Sequence, residues 1–326
     1  MSRMLSQRAW GRGWRQAVVS GVSALAVSGL GAVGPVASAE AIEIKPNFKV
    51  GDAYAQRLQI SQNIEQSFMG NDISIDMDMA FDLTTTVEAA PNDSVFTLTL
   101  KYDRVEAEVN GPMGPGAWRS GDPQPQNPML LGFAAMDGAV IRYDYDIDGE
   151  VTNLEGTEAI VESALASVPE AMRPQLREVF ESQFGEEQMA TMIEAGHGVY
   201  PDAPVVIGES WEQSVVVGGV VPMKADTTYT LLAAEGVTAT TAVTGTLETT
   251  EDATMPLGPG MEADMAMEGT QEGTVVFALD SGWVRSMNLE QDIEGELTMA
   301  NPQNPGGPPI TIPMQIETTI AVEMIE

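Results

Sequence analysis

The densest group of candidate metal ligands in the sequence lies between positions 144 and 155. An Asp-Tyr-Asp-Ile-Asp-Gly run is followed, five residues later, by a glutamate, which is the spacing of a calcium-binding loop. Calcium takes about six to eight oxygen ligands, which carboxylates and carbonyls supply. The candidate ligands are the side chains of Asp144, Asp146, Asp148 and Glu155 and the carbonyl of Glu150.

The same segment also has the pattern of a β-hairpin. Ile141, Tyr143 and Tyr145 alternate with polar residues, as in a strand with one buried face, and Asp148-Gly149 is a common hairpin turn. A strand would spread the aspartates along about 14 Å instead of curling them around one ion. We therefore predict a hairpin, with a calcium ion as the alternative and with no other cofactor.

Methionine is the second residue type with metal chemistry, and two Met-x-Met pairs stand out. Met77 and Met79 lie in one alternating segment, and Met265 and Met267 lie in another. Thioether clusters can bind Cu(I), but alternating methionines in a strand more often fill an apolar core or an adaptable pocket. We interpret both pairs as core or pocket residues, which would suit a hydrophobic ligand.

Catalytic chemistry has little support in the sequence. His197 is the one histidine and there is no cysteine, so a histidine-based triad, a zinc site, a thiolate nucleophile and a disulfide are excluded. Nucleophile-elbow, phosphate-loop and dinucleotide-binding motifs are absent. We predict no catalytic residues and no enzyme activity.

The first 39 residues are predicted to be a signal peptide. They carry four arginines and no acidic residue, an apolar stretch over positions 17–36, and then Ala37-Ser38-Ala39. Cleavage after Ala39 would release a periplasmic or secreted protein, and an uncleaved membrane anchor is the alternative. Without a cysteine for lipid attachment, no membrane span or anchor is expected after cleavage.

The chain is strongly acidic, with 15 Lys and Arg residues against 48 Asp and Glu residues and a formal net charge of −33. Such a charge repels phosphate backbones and anionic lipid headgroups. Nucleic acid is therefore excluded as a partner, whereas cations and basic proteins are attracted.

Hydrophobic alternation with a period of two dominates the rest of the sequence. Residues 73–87 and 310–324 place apolar side chains at nearly every second position, and a phase shift near Asp103-Arg104 predicts a β-bulge. Strands of this length must twist and curl. The sequence thus predicts a mainly β (α+β) fold of two curled antiparallel sheets or half-barrels.

A short helical segment is predicted between two β-rich halves. Apolar residues follow helical spacing after Thr157 and again up to His197. We therefore expect a β-rich half at 40–156, helices at 157–197 and a second β-rich half at 198–326.

Residues that favour turns mark the predicted loops between the strands. Three segments rich in Pro and Gly, at 111–128, 255–260 and 301–309, are predicted to be loops. The turns predicted to join strands are Gly70-Asn71, Asp137-Gly138, Asp148-Gly149, Glu235-Gly236 and Asp280-Ser281-Gly282.

The two halves begin with similar runs. Gly51-Asp52-Ala53-Tyr54-Ala55-Gln56 opens the first, and Gly208-Glu209-Ser210-Trp211-Glu212-Gln213 opens the second. Glycine, acid, small residue, aromatic residue and glutamine stand in register. This predicts a duplication, arranged either as one sheet system or as two lobes.

These runs, with the segment Tyr-Pro-Asp-Ala-Pro-Val-Val-Ile before Gly208 and with Gly111-Pro112-Met113-Gly114, resemble those of an uncharacterised domain-of-unknown-function family of exported bacterial β-rich proteins. The resemblance covers nearly the whole mature chain and implies no activity and no site. At the level of fold, the predicted architecture is also similar to periplasmic lipoprotein-carrier half-barrels, which hold acyl chains. The present chain differs in its larger size and in lacking a lipid-attachment cysteine.

These observations favour an exported soluble protein that binds or carries a small hydrophobic ligand without catalysis. The alternative is a structural or interaction protein of the cell envelope, stabilised by calcium, whose partner is another envelope protein.

Overall fold

The computed structural model describes residues 40–325 apart from positions 69, 93, 113, 167, 198, 218–222, 251–252, 259–260 and 301–306. The predicted signal peptide lies outside the described residues, as does most of the predicted loop at 301–309. The strands are β1 (Ala53–Phe68), β2 (Asn71–Ala89), β3 (Val95–Asn110), β4 (Gly116–Arg119), β5 (Val140–Asp146), β6 (Val151–Glu155), β7 (Ser210–Val217), β8 (Met223–Glu235), β9 (Thr238–Thr249), β10 (Thr254–Gly258), β11 (Met261–Ala278), β12 (Val284–Met299) and β13 (Ile310–Met324). The α-helices are α1 (Leu131–Met136), α2 (Thr157–Ala166), α3 (Arg173–Phe184) and α4 (Glu186–His197), and short 3-10 helices span Pro128–Leu130 and Glu170–Met172.

All of these strands belong to one antiparallel sheet. Its order is β6-β5-β3-β2-β1-β13-β12-β11-β9-β8-β7, and the short strands β4 and β10 pair with β3 and β11. Strand β1 lies in the middle, between β2 and β13, so the first and last strands join the two halves. The prediction of a mainly β antiparallel fold with helices between two β-rich halves is confirmed, and the halves share a single sheet.

The alternating sequence sorts the side chains onto two faces of this sheet. We call the face that carries the alternating apolar residues the inner face, and the polar face the outer face. On the inner face, a side chain at Gly295 would place its Cβ 2.0 Å from the carbonyl oxygen of Ala266 on the neighbouring strand. Glycine therefore permits a close approach of β11 and β12, as expected for a strongly coiled sheet.

Helix α4 contacts both edge strands of the sheet, β6 and β7. The carboxylate of Glu194 on α4 accepts a 3.0 Å hydrogen bond from the backbone amide of Val151 on β6. Backbone groups on an edge strand need such cover, because they otherwise pair with other chains. The sheet thus curls far enough for one helix to bridge its two edges.

Three apolar clusters form the core. The first lies between the helices and strands β3 and β5, the second beside residues 199–205, and the third on the inner face of β8, β9, β11 and β12. Helix α2 begins at Thr157 and α4 ends at His197, as expected for the helical segment. Representative buried residues are Leu98, Tyr143, Ile160 and Met189 in the first cluster, Ile44, Leu231 and Phe277 in the second, and Leu247, Met265 and Leu297 in the third.

The predicted bulge and most of the predicted turns are confirmed. Asp82 faces Arg104 and Leu83 faces Tyr102, which leaves Asp103 as the extra residue of β3. Four of the five turn sequences join neighbouring antiparallel strands, namely those at 70–71, 148–149, 235–236 and 280–282.

Several local predictions were wrong. Asp137-Gly138 ends helix α1, where Gly138 has a φ of +72°, because glycine also serves as a helix terminator. The predicted loops at 111–128 and 255–260 contain β4 and β10, each of which pairs with one long neighbour. Helical spacing also predicts Val179 and Met192 on the buried stripes of α3 and α4, yet both are exposed.

Candidate functional site

The centre of the sheet presents apolar side chains that the rest of the chain only half covers. Strand β1 is paired on both sides, yet none of its described side chains is buried. Neighbouring inner-face residues of β2, β12 and β13 are also half-buried. We call this surface the central strip; its residues are Leu58, Ile60, Ile64, Ile75, Met77, Met79, Met287, Leu289, Met314, Ile316 and Ile320.

Both flanks of the inner face are covered by protein. On the side of β3 and β5, the helices bury Leu98 and Tyr143, which are 0% and 2% exposed. On the side of β8, β9 and β11, residues 199–205 pack against Leu231 and Phe277. The central strip therefore has less protein cover than Leu98, Tyr143, Leu231 and Phe277 have on the two flanks.

The two methionine pairs lie in different surroundings. Met265 and Met267 on β11 are buried in the third cluster, whereas Met77 and Met79 on β2 belong to the central strip. Three strands separate the pairs, so the sheet does not bring the four sulfur atoms together. One pair fills a core, and the other lines an adaptable half-open surface.

A line of uncharged residues, all polar except one glycine, crosses the inner face from β7 to β1. Each member lies opposite the next in the strand register. The inner-face residues two positions before and two positions after each member on its strand are mainly apolar. We call it the polar row; in strand order it comprises Gln213, Thr227, Gly245, Gln271, Gln291, Thr318 and Gln62.

Hydrogen bonds link much of the polar row. The amide of Gln271 donates to Thr227 Oγ1 at 2.6 Å and its Oε1 accepts from Gln291 at 3.2 Å. The amide of Gln62 donates to Thr318 Oγ1, also at 3.2 Å. Gln271, Thr227 and Thr318 are buried, so these bonds offset the cost of removing their polar groups from water.

Gly245 allows the hydrogen bond that reaches across an intervening strand, from Gln271 to Thr227. It lies between Thr227 and Gln271 in the register, and a Cβ there would lie 3.0 Å from Gln271 Nε2 and 2.7 Å from the carbonyl oxygen of Asp226. The missing side chain lets Gln271 reach Thr227 across β9. Sequence patterns alone do not predict the polar row, because each glutamine looks like an isolated interruption of an apolar run.

A stacked aromatic pair lies where β1 and β12 begin. The rings of Tyr54 and Trp283 are 4.2 Å apart and nearly parallel, at 7°, and Phe48 packs edge-on against Trp283. Burial and the nearby Asp52 carboxylate raise the pKa of Tyr54 to about 12, so its hydroxyl stays protonated and donates to Asp52 at 3.2 Å. A pocket of about 400 Å³ lies beside the pair.

The predicted hairpin at the aspartate-rich segment is present. Strands β5 and β6 are antiparallel, with Tyr145 opposite Val151, and Asp148-Gly149 lies in the turn. The Asp146 carboxylate accepts a 2.9 Å hydrogen bond from the Asp148 amide, as is common in turns.

The five candidate calcium ligands are thus spread over a hairpin. Asp144 accepts hydrogen bonds from Thr97 Oγ1 at 2.7 Å and from Asn153 Nδ2 at 2.8 Å, and these bonds lower its pKa. Glu150 and Glu155 are exposed. Among the described residues, no three Asp, Glu or His side chains are grouped so that they could hold a metal ion. Calcium binding stays the untested alternative for this segment.

The outer face is acidic, and like charges lie side by side on it. Glu268 on β11 is directly opposite Glu248 on β9 and Glu294 on β12. These three side chains line a depression of about 1170 Å³, together with three further carboxylates. Directly opposed like charges destabilise a sheet, so this face contributes repulsion.

The fold and this site define a class of β-rich protein in which one curled antiparallel sheet carries a half-covered apolar inner face. The chain belongs to the family of unknown function DUF6263, whose match spans residues 93–284, more than half of the sequence. The predicted resemblance to a domain of unknown function is confirmed.

Other comparisons add little to this assignment. No curated protein matches the chain. Among solved structures, it is similar to an outer-membrane channel from Pseudomonas putida F1, with 7% sequence identity and a TM-score of 0.25 over 86% of this chain and 98% of that chain. In the part of the chain that the structure describes, no helix has the length and apolar character needed to cross a membrane.

Proposed function

We propose that the protein is an exported, non-catalytic carrier or binding protein that holds a hydrophobic ligand against the central strip. The observation that carries this proposal is the exposure of β1. A strand in the middle of a sheet normally buries its apolar residues, but Leu58, Ile60 and Ile64 are only half-buried. Accessible apolar surface of this kind is typical of ligand-binding sites.

Other features agree with this function. The half-buried Met77 and Met79 supply flexible side chains that adapt to ligands of varied shape. The signal-peptide pattern of residues 1–39 supports export to the periplasm or beyond, and the lack of catalytic motifs in the sequence supports a non-catalytic role.

Lipid binding can be tested directly. Purified protein is extracted with organic solvent, and the extract is analysed for lipid. Protein freed of bound lipid, here called stripped protein, is then incubated with lipid and examined by native mass spectrometry. The variant Ile64→Glu places a charge in the central strip and should weaken binding at least tenfold. The control Gln59→Glu adds the same charge on the outer face of β1 and should bind normally.

If extraction releases no lipid and stripped protein takes up none, the central strip does not bind a hydrophobic ligand. The role as an interaction protein of the cell envelope would then replace it. Equal loss of binding in both variants would mean that charge, and not the central strip, governs the effect.

A further inference from the structure

We infer that the ligand is an uncharged amphiphile, whose hydrogen-bonding group binds to the polar row while its alkyl part lies on the central strip. This inference rests on the proposed function and specifies the chemical class of its ligand. It follows from where the polar row crosses the central strip, at Gln291, Thr318 and Gln62.

The polar row costs more free energy to bury than an apolar row at the same positions would. The rows on either side of it carry residues such as Ile60 and Ile64 on β1, and Ile320 and Ile316 on β13. An apolar pair at positions 62 and 318 would continue this surface without a polar side chain on β1 or β13 at this level. Burying amide and hydroxyl groups costs free energy unless each is hydrogen-bonded, so every polar group of the row needs a partner.

Two stretches of the polar row differ in a way that points to a ligand. Between β8 and β11, Gln271 and Thr227 are buried and hydrogen-bonded to each other. At the central strip, Gln291 and Gln62 are only half-buried, and their Oε1 atoms accept no hydrogen bond from any described residue. These two carbonyl oxygens are acceptors for a hydroxyl or amide donor on a ligand.

The accessible part of the polar row is small. Gln291, Thr318 and Gln62 lie on three adjacent strands, so they span about 10 Å at a strand spacing of about 4.8 Å. Apolar residues of the central strip continue along the strands on both sides. This arrangement fits one compact polar group attached to an alkyl chain.

Charge excludes an anionic group. Apart from Arg285, which is exposed near the start of β12, no inner-face position of β1, β2, β12 or β13 carries Lys, Arg, Asp or Glu. The net charge of −33 repels a carboxylate or phosphate, and Arg285 lies about 20 Å along β12 from Gln291, too far to neutralise an anion bound there. The polar row offers hydrogen bonds alone, so the matching group is uncharged.

Three probes test this inference: monooleoylglycerol, which is an uncharged amphiphile, oleate, which is anionic, and octadecene, which has no polar group. Dissociation constants are measured for stripped protein. We expect monooleoylglycerol to bind at least tenfold more tightly than octadecene and oleate. In the variant Gln62→Leu/Gln291→Leu this preference should fall at least tenfold, while octadecene binds as before or more tightly.

Controls separate the polar row from general effects. Gln59→Leu changes a glutamine on the outer face of β1 and should leave the preference intact. If the double variant does not fold, Thr318→Val removes the hydroxyl that accepts from Gln62 with little change in shape, and it should reduce the preference too.

Each outcome has a defined meaning. If octadecene binds wild-type protein as tightly as monooleoylglycerol, or if the folded variants keep the preference, the polar row does not recognise the ligand, although the proposed function stands. Tightest binding of oleate would overturn the uncharged ligand class. If no probe binds, the proposed function fails and this inference fails with it.

Discussion

Gly51 and Gly208 adopt the same left-handed backbone conformation, with φ of +93° and +91°, at the same position of two turns. The amide of Gly51 donates to Val87 on the next strand, and the amide of Gly208 donates to Leu231 on the next strand. In each turn, the acid after the glycine accepts a hydrogen bond from the amide three residues earlier. The predicted correspondence between the two runs thus has a local structural counterpart.

This relationship predicts that alanine at either position lowers the free energy of unfolding by the same amount. A Cβ at Gly51 or Gly208 would meet no atom within 4 Å, so the cost is that of the left-handed backbone alone. We expect Gly51→Ala and Gly208→Ala each to lower the free energy of unfolding by about 1–2 kcal/mol in urea titrations.

Gly196 in helix α4 is the matched control, because its Cβ would also meet no atom but its φ is not positive. Gly196→Ala should be neutral or stabilising by about 1 kcal/mol. Equal destabilisation by all three substitutions would contradict the conformational explanation.

The sequence predicts the strands and their faces but not their partners. Alternation in residues 73–87 assigns Met77 and Met79 to one face without any knowledge of the fold. The polar row depends on the pairing of seven strands, and no local pattern links Gln62 to Thr318, 256 positions apart. Strands β4 and β10 were missed because Pro and Gly dominate their surroundings, while their pairing with one long neighbour holds them in place.

The Gln271–Thr227 hydrogen bond predicts strong coupling between these two positions. Thr227→Val leaves a buried amide without its acceptor, which costs about 1–3 kcal/mol. The double variant Thr227→Val/Gln271→Leu removes both partners, so its loss should be smaller than the sum of the single losses. A double-mutant cycle in urea measures the difference, and strictly additive losses would rule out the coupling.

The hairpin geometry predicts that calcium does not act through residues 144–155. Asp144 is engaged by Thr97 and Asn153, and Asp146 by the amide of Asp148. We expect any change of melting temperature between calcium and chelator to be the same in wild-type protein and in Asp148→Asn. A calcium-induced rise in melting temperature that Asp148→Asn abolishes would instead establish the calcium loop.

The hydrogen bonds to Asp144 predict a pH-dependent contribution to stability. Thr97 and Asn153 lower the pKa of Asp144 in the folded state, so the stabilisation is fully present above about pH 4 and is lost as pH falls through the lowered pKa. Thr97→Val should therefore destabilise the protein more at pH 7 than at pH 3. An NMR titration should also show a higher Asp144 pKa in the variant.

Thr85 provides the control for this pH effect. It is a buried threonine like Thr97, but it makes no hydrogen bond to a carboxylate among the described residues. The destabilisation caused by Thr85→Val should be independent of pH. A Thr97→Val effect that is equally independent of pH would show that Asp144 does not depend on this hydroxyl.

The three adjacent glutamates of the outer face predict that one charge reversal stabilises the sheet. Glu268 faces Glu248 on one side and Glu294 on the other, so Glu268→Lys turns two repulsive pairs into two attractive ones. The unfolding midpoint should rise, and the gain should shrink in 1 M salt because exposed charges are then screened. Glu296→Lys changes the net charge equally but lies opposite Ala266 and Pro313, so it should raise the midpoint less. Equal gains in the two variants would mean that the total charge of the chain, and not the pairing of these glutamates, limits its stability.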